Sequence, residues 1–73
     1  MSEEQIIDEL NRGAIVTHYI PDHGDENEEF HLKTKEKDIS ITVREFKLLK
    51  LKELIQYEDV LEDGSFVYVL KHG

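Results

Sequence analysis

The sequence predicts a small α+β domain, in which an antiparallel sheet of about four to five strands carries an N-terminal helix and a second helix. Three observations predict this class. The 73 residues suffice for one domain, spanning residues 1–73. The apolar residues lie in compact runs, at 14–16, 39–43 and 66–70. Helix-capping and tight-turn signals fall between those runs.

The first helix is predicted at residues 2–12. Ser2 followed by Gln5 forms a capping box, which satisfies backbone donors in the first turn. Gly13 is suited to end the helix in the left-handed conformation. One side of the helix carries a narrow apolar stripe that needs tertiary packing. The stripe comprises Ile6, Ile7 and Leu10.

Three strands are predicted next, at residues 14–20, 29–35 and 39–43, from their β-branched content and alternation. Pro21 ends the first strand because it lacks a backbone donor. Residues 21–29 contain five carboxylates and are predicted to form a mobile acidic loop. Residues 36–38 give a polar connection suited to a hairpin. In the third strand, one face is expected to carry Ile39, Ile41 and Val43.

Residues 44–56 are predicted to form the second helix, with a strand as the rival. Thr42 followed by Glu45 offers another capping box, and Leu, Lys and Glu favour a helix. The apolar residues nevertheless occupy most of the helical circumference. Such a helix needs burial on more than one side, or a partner.

Two strands are predicted to close the chain, at residues 57–62 and 66–70, joined by a tight turn at Asp63-Gly64. The side chains expected to face the core are Phe66, Tyr68 and Leu70, with Val67 and Val69 facing the other way. A strand apolar on both faces is either central in its sheet or part of an interface. This strand and the thin core of a short chain are also compatible with a homodimer.

Composition excludes several kinds of chemistry. The chain has no cysteine, so it has no disulfide, thiolate nucleophile or sulfur-bound zinc. The best metal-ligand candidates match no zinc signature, and ordinary surface histidines are the preferred interpretation. They are His18, His23 and His31, with Asp22 and Asp25. No serine lies in a nucleophile elbow, and a short chain has little interior in which to shift a carboxylate pKa. The sequence predicts no enzyme, cofactor or metal site.

Location is predicted from two absences. No apolar run approaches the ~20 residues that a membrane span needs. The first residues lack the basic and apolar regions of a secretory signal. We therefore expect a cytoplasmic protein with no membrane partner.

Charge is the most informative feature. The chain has 17 Asp and Glu against 9 Lys and Arg, a formal net charge of −8. Residues 1–32 carry −8 and residues 53–73 carry −4, on both sides of a basic segment, 33–52, of +4. Excess negative charge disfavours direct nucleic-acid binding. It either keeps a small protein soluble or serves a specific acidic surface.

A row of fixed carboxylates presents negative charges to a basic groove much as the phosphate backbone of DNA does. Contacts with phosphates supply much of the affinity in protein–DNA complexes. The leading hypothesis is therefore a non-catalytic inhibitor that mimics DNA and blocks a basic DNA-binding protein. The predicted partner-binding residues are Glu3, Glu4, Asp8, Glu9, Asp22, Asp25, Glu26, Glu28, Glu29, Glu58, Asp59, Glu62 and Asp63.

The chain resembles small acidic host-takeover proteins of lytic phages in its size, in its lack of cysteine and in its acids at 3–9 and 22–29. Among that group are DNA-mimic inhibitors of the histone-like nucleoid protein HU. The resemblance extends over the whole chain in size and charge, and no motif carries it. It implies an HU-like partner whose DNA-binding arms and saddle are occupied. It also implies action in the host bacterial cytoplasm, associated with the nucleoid through that partner.

Two other classes of function stay open. The alternative is a regulatory module that binds RNA polymerase or another host factor through an apolar patch. The candidates for that patch are Leu48, Leu51, Val67 and Val69. A small metal-dependent enzyme is the third class, and it would require a retained metal.

Overall fold

A computed structural model describes residues 2–21 and 28–71. The elements in chain order are α1 (Glu3–Asn11), β1 (Ile15–Tyr19), β2 (Glu29–Lys33), β3 (Asp38–Ile41), α2 (Val43–Leu51), β4 (Ile55–Val60) and β5 (Phe66–Leu70). The predicted α+β class, with a five-stranded antiparallel sheet and two helices, is confirmed. The predicted acidic loop falls largely at residues 22–27, outside the described residues.

The sheet has the strand order β3-β2-β1-β5-β4, and every neighbouring pair is antiparallel. β5 lies between β1 and β4, with Thr17 opposite Val67. Its position explains why β5 is apolar on both faces, since it is interior to the sheet. Of the two alternatives that the sequence left open for this strand, central in the sheet or part of an interface, the strand order supports the first. β3 and β4 are the edge strands.

Both helices pack on one face of the sheet around a single core. The shared face follows from the register, in which Val16 pairs with Leu32 and Phe30 pairs with Ile41. The buried residues of this core are Ile6, Leu10, Ala14, Val16, Phe30, Leu32, Ile41, Phe46, Leu49 and Ile55. Of the three β5 side chains expected to face the core, Tyr68 and Leu70 pack against these residues, whereas Phe66 is only partly buried and is not among them. No helix of the described chain covers the opposite face.

α1 forms as its sequence predicts. The Ser2 hydroxyl accepts a hydrogen bond from the Gln5 N–H, and the Gln5 side chain accepts one from the Ser2 N–H. After the C-cap at Arg12, Gly13 adopts φ of 100°. The Gly13 and Ala14 N–H groups then donate to the carbonyls of Leu10 and Glu9, which is a Schellman ending.

The prediction for residues 44–56 is correct in kind and wrong in extent. The capping box of Thr42 and Glu45 is present, but the helix ends at Leu51. Glu53 adopts φ of 56°, and the N–H groups of Glu53 and Leu54 donate to the carbonyls of Lys50 and Leu49. This is a second Schellman ending, made without glycine. Ile55 and Gln56 consequently belong to β4, which begins two residues before the predicted strand.

Other boundaries shift at polar residues. Val43 is not part of β3, because Thr42 caps α2 and makes Val43 the first helical residue, 45% exposed. β2 ends at Lys33 because Thr34 begins the turn, its Oγ1 accepting hydrogen bonds from the N–H groups of Glu36 and Lys37. β1 is shorter than predicted at both ends, β4 is displaced by two residues toward the N-terminus and ends at Val60, and β5 has its predicted limits.

Candidate partner-binding surface

The turn between β4 and β5 is held by a compact set of hydrogen bonds. The Leu61 N–H donates to the Ser65 carbonyl at 2.8 Å, and the Gly64 N–H donates to the Leu61 carbonyl at 2.9 Å. Gly64 has φ of 90°, as its place in the predicted tight turn requires. Asp63 Oδ1 accepts from the Ser65 N–H at 2.9 Å. The turn therefore fixes where the Asp63 carboxylate lies.

The same contacts change the acidity of Asp63. The Ser65 backbone N–H, followed by the Ser65 hydroxyl, lowers the pKa of the Asp63 carboxyl below 3.8 because both donate to its charged form. The positive charge of Lys33 lowers the pKa further. Asp63 thus stays ionised under acidic conditions that protonate an ordinary aspartate.

β4 is an edge strand with a bulge at Glu58, where the pairing with β5 shifts between Tyr57 and Asp59. All its residues after Ile55 are exposed. The Asp59 carboxylate accepts a hydrogen bond from the Val60 N–H at 2.8 Å. Because β4 has a neighbouring strand on one side only among the described residues, peptide groups along its outer side are available to an extended segment of another chain.

Four of the predicted partner-binding acids occupy β4 and its turn, and all four are exposed. They are Glu58, Asp59, Glu62 and Asp63, here called the hairpin acids. Within residues 2–21 and 28–71, no Lys, Arg or His side chain lies at ion-pair distance from any of them. The hairpin acids are therefore exposed carboxylates without an ion-pair partner in the described chain, and only Asp63 feels a cation, Lys33, from a longer distance.

The acids of α1 are different, because three of them have cationic partners. The Lys52 ammonium lies 2.7 Å and 2.9 Å from the two carboxylate oxygens of Glu3. The Arg12 guanidinium lies 3.2 Å from Asp8 and 3.7 Å from Glu9. Glu4 has no such partner in the described part of the chain. Much of the negative charge predicted for α1 is thus balanced locally.

Glu28 and Glu29 lie at the start of β2, each beside a histidine. Glu28 Oε1 is 3.3 Å from Nε2 of His18, although the angles are not those of a hydrogen bond. Glu29 Oε1 is 3.7 Å from Nε2 of His31, whose Nδ1 lies 2.8 Å from Asp38 Oδ1. The remaining predicted acids, Asp22, Asp25 and Glu26, lie outside the described residues.

An aromatic cleft of about 380 Å³ opens on the helix-covered face beside β4. His18 stacks on Phe30 with a centroid separation of 4.4 Å. The Lys50 ammonium lies 5.5 Å from the centroid of the Tyr68 ring and 5.8 Å from that of Phe46. Tyr57, a half-exposed residue of the edge strand β4, also lines the cleft. The aromatic residues are visible in the sequence, but the cleft could not be predicted because their proximity follows from the strand register.

The predicted apolar patch does not form as one surface. Val67 is only 4% exposed, so it is not available to a partner. Val67 lies opposite Thr17, which is also buried. Val69 is partly buried. Leu48 and Leu51, in contrast, are exposed on α2, as the patch would require.

Two further observations concern the kind of site. Across residues 2–21 and 28–71, no three His, Cys, Asp or Glu side chains are grouped so that they could hold a metal ion. None of the described helices has the length and apolar character needed to cross a membrane. Comparison with models of protein families, curated protein sequences and solved structures found no match to the chain.

Proposed function

We propose that the protein is a non-catalytic inhibitor of a basic DNA-binding protein of the HU type. The hairpin acids take the place of DNA phosphates in the partner's groove. One observation carries this proposal: these four exposed carboxylates have no cation at ion-pair distance in the described chain, whereas most of those on α1 do.

Electrostatics explains how such a surface excludes DNA. A DNA-binding protein gains affinity by placing Lys and Arg against phosphates and releasing their counterions. Carboxylates fixed on a folded surface attract the same side chains and accelerate encounter. Asp63 contributes a charge whose position is fixed by Ser65. The net charge of −8 repels DNA itself, so inhibition requires no contact with nucleic acid.

The edge position of β4 adds a geometric preference. A partner segment in extended conformation can pair with the outer peptide groups of β4 while its basic side chains meet Glu58 and Asp59. Pairing of β4 with β4 of a second copy would place like charges together, and the bulge at Glu58 disrupts the ladder. The edge therefore favours a basic strand over self-association.

Such an inhibitor acts where its target binds DNA, in the bacterial cytoplasm at the nucleoid. The partner's flexible basic arms are the part that an acidic edge strand fits best. The saddle between those arms is then closed to DNA by competition. No bond is made or broken in this activity, so it needs no cofactor.

The experiment is a displacement titration. A fluorescent DNA duplex bound to purified HU is titrated with the protein, and anisotropy reports the release of DNA. We expect full displacement at low salt and a steep loss of potency as salt rises. The triple variant E58Q/D59N/E62Q should lose at least tenfold in potency. It leaves Asp63 in place, so the turn is preserved.

The matched control is E4Q/D8N/E9Q, which removes the same number of negative charges from α1. It should lose much less potency, because Asp8 and Glu9 are already paired with Arg12. Equal losses in the two variants would show a net-charge effect and overturn the assignment to the hairpin. No displacement by the unmodified protein at low salt would remove HU as the partner.

A further inference from the structure

α2 has two unlike faces. Its inner face buries Phe46 and Leu49 in the core. Its outer face leaves Val43, Leu48 and Leu51 exposed by 45%, 39% and 79%. Together with Arg44 and Lys47 they line a shallow groove of about 300 Å³, and these five residues are called the α2 outer face. The sequence indicated that this helix needs burial on more than one side, or a partner, and the described chain leaves one apolar face of the helix uncovered.

The spacing of the outer face is that of a helix-docking seam. Val43, Lys47 and Leu51 are four residues apart, and Arg44 and Leu48 fill the turns between them. Capping at both ends holds the helix rigid, through Thr42 with Glu45 at the start and the Schellman bonds at the end. A rigid seam of this kind suits an amphipathic helix, whose apolar residues contact Leu48 and Leu51.

The charges of Arg44 and Lys47 indicate which kind of helix would bind to the α2 outer face. Neither Arg44 nor Lys47 has a described carboxylate at ion-pair distance, although the chain as a whole is strongly acidic. A second copy docking α2 against α2 would bring four cations together around the seam, which is unfavourable. A helix whose apolar stripe is bordered by Glu or Asp would instead pair with both cations.

We propose that the α2 outer face is a docking site for an acidic amphipathic helix of another protein. Leu51 is the apolar anchor, and Arg44 with Lys47 set the charge preference. This surface is opposite in sign to the hairpin acids and lies on a different element. The protein therefore has two binding surfaces of opposite preference, and the second does not depend on the first.

The test uses designed helical peptides of about 18 residues, roughly five turns. One peptide carries a Leu stripe bordered by Glu, a second has Lys in place of Glu, and a third is a scrambled form of the first. Each is titrated into 15N-labelled protein. We expect the Glu peptide to shift amide signals of α2, and the other two to bind at least tenfold more weakly.

Variants then separate docking from general attraction. L51D, at a highly exposed position that leaves the core intact, should abolish the shifts. R44E/K47E should reverse the preference, so that the Lys peptide binds more tightly. L61D is the control, since Leu61 is as exposed as Leu48 but lies in the β4–β5 turn, and it should change nothing.

Three results would overturn the proposal. The first is equal binding of the Glu and scrambled peptides, which would show electrostatic attraction that does not depend on an apolar stripe in the peptide. The second is unchanged preference in R44E/K47E. The third is a dimer in sedimentation equilibrium that L51D dissociates, which would make a second copy the occupant.

Discussion

Gly13 and Glu53 occupy the same position in two copies of one motif, one residue beyond the C-cap of α1 and of α2. Both have positive φ, 100° and 56°, and both precede a residue whose N–H reaches back to the last helical turn. Only glycine adopts this conformation without a steric cost, which for other residues is roughly 1–2 kcal/mol. The two sites therefore form a matched pair.

We predict that Glu53→Gly raises the free energy of unfolding by about 0.5–1 kcal/mol, because it removes left-handed strain at an exposed site. Gly13→Ala should lower it by about 1 kcal/mol. No atom within 4 Å would meet the added Cβ at Gly13, so the loss would come from the backbone alone. Urea denaturation followed by circular dichroism measures both. A destabilising Glu53→Gly would show that its side chain stabilises the fold more than its conformation costs.

This pair also explains what sequence could and could not predict. Gly13 marks the end of α1, and the predicted end is correct. At the end of α2 no glycine marks the boundary, so the sequence pattern predicts a helix through Leu54 and into β4. The capping boxes, the Gly64 turn and the limits of β5 follow from residues that are near one another in sequence, and the sequence predicts each of them.

The features that were missed depend on residues far apart in sequence. Lys52 forms an ion pair with Glu3, 49 positions away in the sequence, and this contact neutralises part of the negative charge expected on α1. Val67 is buried in the interior strand β5, and the alternation of that strand alone shows neither its place in the sheet nor this burial. Charge counting could predict an acidic surface but not which carboxylates would be paired, because pairing follows from tertiary packing.

A second prediction concerns the two faces of α2. Leu49 is fully buried, so Leu49→Ala should lower the free energy of unfolding by about 3 kcal/mol through lost burial and a cavity. Leu51 is 79% exposed, so Leu51→Ala should change it by no more than about 0.5 kcal/mol. Chemical denaturation of the two variants provides the measurement. A large loss in Leu51→Ala would show that this leucine already has a covering partner within the protein.

A third prediction concerns the ion pair that joins the helices. A double-mutant cycle with Glu3→Gln and Lys52→Met should give a coupling energy of about 0.5 kcal/mol, as expected for a pair that is partly solvent-exposed. In 1 M NaCl, where the screening length is about 3 Å, the coupling should fall. A coupling that is unchanged by salt would contradict an electrostatic origin and point to packing of the Lys52 stem.

The last prediction is the pH dependence that Asp63 imposes. Because its pKa is lowered in the folded protein, its contribution to stability is present above 3.8 and is lost as the pH falls through the folded value. The stability difference between the unmodified protein and Asp63→Asn should therefore be larger at pH 6 than at pH 2. A carbon-detected NMR titration of the carboxyl group should place its pKa below 3.8.

Ser65→Ala provides the control, because it removes the hydroxyl and keeps the backbone N–H that is the larger cause of the shift. It should move the pKa of Asp63 only part of the way toward 3.8. An Asp63 carboxyl that titrates at or above 3.8 in the unmodified protein would contradict the Ser65 hydrogen bonds. The turn would then not hold this carboxylate in place, and the hairpin acids would lose the member whose position the fold fixes most firmly.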